Sequence, residues 1–272
     1  MTNALGIDLE DWYHVCGIDS LDASMDRDVF ISRAISNTER ILSILRESKV
    51  RATFFILGSL AEKFPSLIKK IDRSGHEVAS HSYLHKEIYK QTPEEFLKDA
   101  RKSKEVLESI TGKKVIGFRA PDFSIIKSSF WAVDVLLKAG FSYDCSVFPV
   151  RHPRYGMADA PRFIYKIREG LTEFPPSTIR ILGNNLPVAG GAYFRILPYW
   201  ITRWALNRVN GEGFPANLYL HPWELDPHQP KLKLPLSRRF THYINLKTAE
   251  NKFSKLLKDF KFAPIKEVLG LG

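Results

Sequence analysis

Cysteine is almost absent: Cys16 and Cys145 are the only two in 272 residues. Two cysteines cannot form a disulfide framework and suit a reducing compartment. The chain also lacks any run of about 18 uncharged apolar residues that would span a bilayer. Its first residues, MTNALGIDLEDWYH, contain no signal-peptide apolar core, because charge arrives at Asp8. The expected location is therefore cytoplasmic. Low-complexity tracts, internal repeats and Pro/Gly/Ser-rich linkers are missing as well, which favours a single domain over residues 1–272.

The composition is that of an ordinary soluble protein, 44% apolar and 26% charged. The net charge of +10 favours acidic partners: nucleic acid, an anionic membrane face or an acidic glycan. The basic residues are scattered, as in RHPRYG (151–156) and LSRRFTHY (236–243), with no nucleic-acid motif beside them. Solvated surface is the better reading, so no nucleic-acid partner is expected.

Strand and helix patterns alternate along the first half. ALGIDL (4–9), VRATFFILG (50–58), HEVASH (76–81), VIGFRAP (115–121) and FSYDCSVFP (141–149) read as buried strands. Helical spacing fills 29–48, 59–75, 92–112 and 128–140, with a Thr92 cap, Pro93 in the first turn and a stop at Gly112. Residues 151–215 are less regular, and NLYLHPWEL (217–225) resembles a further inner strand. Strand-then-helix repetition predicts parallel strands covered by helices. A β/α barrel fits best, though it need not have eight regular units. An open doubly wound sheet is the alternative, but IDLEDW lacks the Gly-rich first turn usual there.

In a β/α barrel, function collects where strands end. Those ends carry Asp8, Glu10 and Asp11, then His81 with His85, Arg119, Asp144 and His221. A spacing of four puts His81 and His85 on one side of a helical turn, near enough to share an ion. The spacing alone also fits two ordinary histidines; the whole constellation points to a site. Two neutral imidazoles and a carboxylate suit zinc with a position left for water. A second carboxylate is then available as base and a separate histidine as acid. Arg119 is suited to a bidentate contact with the base carboxylate, and Asp144 to orienting His221.

IDLEDW, TFF (53–55), GHEVASHSYLH (75–85), GFRAPDFS (117–124), YDCSVFP and LYLHPWE (218–224) resemble, in order, the motifs of NodB-type polysaccharide deacetylases, the fourth carbohydrate esterase family. RHPRYG, EFPPSTIRILG (173–183), GGAYFRILPYW (190–200) and HPWELDPHQP (221–230) look like the branch found with exopolysaccharide gene clusters, so the part from about 150 to 272 reads as branch-specific. The resemblance implies a distorted β/α barrel with fewer than eight regular units, which removes acetate from N-acetylated sugars with one divalent ion, usually zinc, cobalt and manganese being alternatives. Asp8 matches the base, His81 and His85 the metal pair, Arg119 the arginine that orients the base, and His221 the acid. Asp144 lies near the family's supporting aspartate, in an uncertain register.

Many relatives have adjacent aspartates, base then ligand; here the string is Asp8-Leu9-Glu10-Asp11. Alternation along a strand puts residues 8 and 10 on one face, which favours Asp8 as base and Glu10 as ligand. The other register, Glu10 as base and Asp11 as ligand, survives if the strand curls at Leu9.

Around these residues, Trp12 and Trp223 are candidates to stack on a sugar, and Tyr193 and Arg195 in GGAYFRILP to reach the substrate. His14, His76, His152, His228 and His242 lack a comparable setting. PYWITRWALNRV (198–209) is aromatic and basic; packing against the barrel competes there with contact to an inner membrane face. The expected activity is metal-dependent N-deacetylation of a glycan or a lipid-linked sugar. The alternatives are deformylation or amide hydrolysis on a lipid-linked amino sugar or small cyclic amide, or a glycan-binding barrel without catalysis. The sequence sets no oligomeric state.

Overall fold

The computed structural model describes residues 1–12, 14, 27–152, 154–232 and 234–271; Cys16 lies outside them. Strand β1 (Thr2–Leu9) buries every residue after Thr2, on both faces, as a strand inside a parallel sheet must. Helix α1 (Arg27–Glu47) follows, then β2 (Thr53–Ile56). The helical pattern over 59–75 forms two helices, α2 (Gly58–Lys63) and α3 (Pro65–Arg73), broken at Phe64. Pro65 has no N–H to donate and disfavours helical geometry in the residue before it; Phe64 sits at φ −129°, ψ 55°.

β3 (Glu77–Ser80) leads to α4 (Pro93–Thr111), which opens on a capping box. Glu95 N donates to Thr92 Oγ1 (3.2 Å), and Thr92 N donates to Glu95 Oε2 (2.8 Å). Gly112 ends α4 at φ 70°, the left-handed position where glycine is favoured. β4 (Gly117–Phe118), α5 (Ala132–Lys138) and β5 (Tyr143–Asp144) are shorter than their patterns predicted.

The irregular stretch holds β6 (Tyr165–Arg168), β7 (Leu171–Glu173), β8 (Thr178–Ile181), β9 (Asn184–Pro187), α6 (Gly191–Ile196) and α7 (Tyr199–Gly211). β10 (Asn217–Leu220), α8 (Leu236–Tyr243), α9 (Leu246–Asp259), β11 (Lys261–Ala263) and α10 (Ile265–Val268) complete the chain. Its pattern is hard to read because β6–β7 and β8–β9 are short antiparallel pairs, not strand–helix units.

The main sheet runs β10-β1-β2-β3-β4-β5-β7-β6, with β11 added beside the first half of β1. Every pair from β10 to β7 is parallel. The sheet curls until the chain leaving β7 meets β10: Asn217 Nδ2 donates to the carbonyl of Phe174 (2.6 Å), and Ser177 N donates to that of Asn217 (3.1 Å). The result is a curled half-barrel, a distorted β/α barrel and not an open doubly wound sheet. Its outer side packs against the helices through residues such as Ile7, Phe54, Phe118 and Leu220. Its inside holds aromatic and charged groups such as Phe55, Tyr143 and Arg119, and because the strands from β10 to β7 are parallel their C-terminal ends lie along one rim.

Candidate active site

β1 ends at Leu9, where Glu10 N turns back to donate to Asp8 O (3.0 Å). This leaves the Glu10 side chain facing the loop after β3. Glu10 Oε2 lies 2.6 Å from His85 Nε2 and 3.6 Å from His81 Nε2. One ligand atom from each of the three residues falls within 4.8 Å of the others. The histidines do not stand on a helical turn. Ser82 (φ 67°) and His85 (φ 58°) are left-handed, and the bend they form is held from outside. Gly58 N and Ser59 N donate to the carbonyls of Ser82 and Tyr83, while Asp99 accepts from Tyr83 N (2.9 Å) and Leu84 N (3.2 Å).

His81 Nδ1 donates to the carbonyl of Arg119 (2.8 Å), which turns its Nε2 lone pair toward Glu10. Burial opposes ionisation of Glu10, yet His85, His221 and His81 hold its carboxyl well below the ordinary range. An anionic oxygen facing two imidazole nitrogens, one with its tautomer fixed, is a donor set that fits a divalent ion. Asp11 is turned away: its Oδ1 accepts from Trp12 N (2.9 Å), and its own N–H donates to His14 Nδ1 (2.9 Å). The structure thus brings Glu10, and not Asp11, to the two histidines.

Asp8 Oδ1 accepts from Arg119 Nη1 at 2.6 Å. The contact is single, not bidentate, because Nη2 has no hydrogen-bond partner among the described residues. The Arg119 guanidinium lies 4.1 Å above the Phe55 ring, in the barrel interior. Gly6 makes the room: a Cβ there would stand 2.8 Å from Arg119 Nη1 and 3.2 Å from Phe55.

His221 ends β10 on the opposite side of the rim. Its Nε2 is 3.5 Å from Glu10 Oε1 and 3.9 Å from Asp8 Oδ2. Its Nδ1 donates to Glu224 Oε1 (2.7 Å), not to Asp144. Asp144 lies deeper, accepting from Cys145 N (2.9 Å) and Ser146 Oγ, while its Oδ2 and Glu173 Oε2 are both buried with no hydrogen-bond donor among the described residues. Burial pushes Asp144 up to about 6 and Glu173 well above its usual range, as expected of two carboxyls with one proton between them. The sequence reading missed Glu224. The available signal was its place three residues after His221, across Pro222, where a short turn folds the carboxylate back onto the histidine.

Glu224 Oε2 accepts from Arg195 Nε at 2.5 Å. Arg195 also donates to the carbonyls of Thr241, His242 and Ile244, so it is an internal brace and does not reach out to substrate. Burial opposes ionisation of Glu224, but Arg195 and His221 bring it down to about 2. Burial works against a charged His221, and Glu10 and Glu224 overcome it, raising the imidazole to about 9.

Trp223 Nε1 donates to Glu10 Oε1 (3.3 Å), and its ring stacks on His221 (5.2 Å between centroids). Trp12 is fully buried with Trp223 and Leu246, which leaves it no face for a sugar. Asp8, Glu10, His81 and His221 line a cleft of about 250 Å³. Tyr193 forms part of its wall and shares a hydrogen bond with Tyr155 (3.0 Å). Three histidines that the sequence left aside, His14, His152 and His242, also line it. His152 stacks on Tyr155 at 3.8 Å, and the His14 ring stands 5.3 Å from that of His85.

Residues 31–142 match the family model of polysaccharide deacetylase. This stretch of the chain is thus similar to polysaccharide deacetylase domains. This match takes in His81, His85 and Arg119. A second match, to a domain of unknown function (DUF3473), covers 145–270 and takes in Arg195, His221 and Glu224. A peptidoglycan-N-acetylglucosamine deacetylase of Bacillus cereus is 35% identical to this chain over 98 residues, 36% of each protein. The chain thus spans about a third of the length of such curated relatives. Among solved structures, a putative polysaccharide deacetylase from Mycobacterium smegmatis superposes with a TM-score of 0.64 at 21% identity, covering 98% of this chain and 88% of that one. A CE4 family pseudoenzyme from Bacillus anthracis superposes at 0.51 and 18%, covering 99% and 66%. At these identities the likeness concerns the fold.

Proposed function

We propose that this protein is a metal-dependent hydrolase that removes N-acetyl groups from the amino sugars of a polysaccharide or its precursor. One observation carries the reading: a carboxylate–histidine–histidine set stands between a carboxylate bonded to arginine and a histidine bonded to glutamate. Glu10, His81 and His85 would hold the ion, zinc being the preferred candidate for two imidazoles and a carboxylate, with cobalt or manganese as substitutes. When bound, it supplies charge that polarises a carbonyl and acidifies a water.

The chain's own groups do the rest. Asp8 has one oxygen on Arg119 and the other open to the cleft, so it is placed to take a proton from an attacking water. His221, 3.9 Å from that open oxygen, is placed to protonate the departing amine. Glu224 fixes the tautomer of His221 and favours its charged form. Tyr193 gives the cleft an apolar face for a sugar ring, whereas the Trp223 ring is covered by His221 and His242.

Residues 1–272 act as one unit in this reading, because β10 and β11 from the second half complete the sheet beside β1. The resemblance of residues from about 150 onward to the exopolysaccharide branch supports a role in exopolysaccharide biosynthesis.

The test combines metal content with product analysis. Glu10→Gln should lose the roughly one ion per chain that Asp8→Asn keeps, while both variants lose acetate release from N-acetylglucosamine oligomers. Metal retained by Glu10→Gln and lost by Asp8→Asn would overturn the assignment. Formate released from an N-formyl sugar without acetate release would favour a deformylase, and glycan binding without turnover a non-catalytic barrel.

A further inference from the structure

β8 and β9 form a hairpin whose two-residue turn is Leu182–Gly183, with Ile181 paired to Asn184. Both turn residues have positive φ, 47° and 80°. Asparagine or aspartate ordinarily occupies the first of these positions; leucine is strained there. Leu182 is also 95% exposed. The monomer gains nothing from either feature, since an apolar side chain at that tip touches no core.

Beside the hairpin lies α7, and between them runs a groove whose lining is entirely apolar. Trp200 and Trp204, one helical turn apart on its wall, are 68% and 43% exposed. Arg203 and Arg208 flank these rings, their side chains 61% and 48% exposed. Their contacts to Asp259 (3.3 Å) and Glu212 (4.0 Å) are solvent-facing pairs that another anion can replace.

We propose that this face docks on a lipid bilayer with anionic headgroups. A protruding leucine needs no preformed pocket in a fluid acyl layer, whereas a folded partner would have to provide one. Tryptophan belongs at the headgroup level, where its ring is half apolar and half polar. The flanking arginines and the net charge of +10 complement an anionic surface. A second copy of this chain would instead set arginine rim against arginine rim. The face also has a defined relation to the cleft. Tyr193, Arg195 and Ile196 of α6 line the cleft, and the next residue, Leu197, lines the groove. Docking therefore holds the cleft mouth beside the bilayer, where a glycan on a membrane-bound carrier would be presented. The surface stands independently of the deacetylase reading, and its test uses no catalysis.

The full chain is floated with phosphatidylcholine vesicles containing about 30% phosphatidylserine, and separately with phosphatidylcholine alone. Wild-type protein should rise with the anionic vesicles and roughly tenfold less with the neutral ones. Leu182→Asn suits the turn, so its thermal midpoint should hold or rise while flotation falls about tenfold. The Trp200→Gln/Trp204→Gln pair should fall similarly. No flotation with anionic vesicles, or flotation unchanged in both variants, overturns the proposal. So does a lipid-free dimer that Leu182→Asn returns to monomer, because the face then belongs to a second copy.

Discussion

Replacing Glu224 by glutamine preserves shape and one acceptor oxygen but removes the charge between Arg195 and His221. The Arg195 and Glu224 side chains are 1% and 0% exposed, so this is a buried ion pair broken from one side. Such breaks cost about 3–5 kcal/mol, because the remaining charge stays buried. Arg195 keeps three carbonyl acceptors at 2.8–3.0 Å, which places the cost near the low end, about 3 kcal/mol.

Proton linkage gives a similar figure. Glu224 falls from 4.5 to about 2 on folding, and at about 1.4 kcal/mol per unit this is again about 3 kcal/mol. The folded pKa is depressed, so this stability is fully present above pH ~5 and is lost as pH falls toward ~2. The thermal midpoint of Glu224→Gln at neutral pH should drop by about 6–10 °C. Its stability should also lack the acid-side decline. A cycle with Arg195→Met, followed by circular dichroism, should give a coupling of about 2 kcal/mol. Coupling below about 0.5 kcal/mol would refute the buried-bridge argument.

Two further perturbations test the support around the site. Asp99→Ala removes the acceptor for Tyr83 N and Leu84 N, so stability should fall by about 1–2 kcal/mol and zinc affinity should weaken, both measurable by titration. Asp144 rises to about 6 on folding, so its share of stability is present below pH ~4 and lost as pH rises through ~6, about 3 kcal/mol in all. Asp144→Asn should flatten that part of the urea-denaturation profile between about pH 4 and 6, and an unchanged profile would refute the shared proton.

The strand ends were legible because short apolar runs stop at polar residues; Glu10 lies past the end of β1, in the turn at Leu9, so its direction comes from that turn and not from strand alternation. The bend at His81–His85 was not legible, since a spacing of four means neighbours only on a helix. Glu224, and the bracing part that Arg195 plays beside it, escaped for a common reason. Each looks like surface charge in sequence and is buried only through the other, one from the turn after β10 and one from α6. Asp144 misled because β5 ends where the other site strands do, while its side chain is occupied by Ser146 and Glu173.

The same device, a fully buried arginine bonded to a buried carboxylate, holds both Asp8 and Glu224, and the free oxygen decides what each can do. Asp8 gives Oδ1 to Arg119 and leaves Oδ2 near His221 with no hydrogen bond, 3.9 Å away. Glu224 gives Oε2 to Arg195 and Oε1 to His221, so nothing is left for a substrate. On the proposed reading, Asp8 therefore receives a proton from outside, whereas Glu224 can only fix the proton on a histidine. Buried ion pairs contribute little net stability against apolar packing of the same volume. Keeping two of them, with Gly6 held small so that Arg119 fits, is better explained by opposite proton roles than by folding. The deacetylase match contributes Arg119 and the second match contributes Arg195, His221 and Glu224. A site made this way needs both halves of the chain, because neither matched half contains both a base-side and an acid-side arginine.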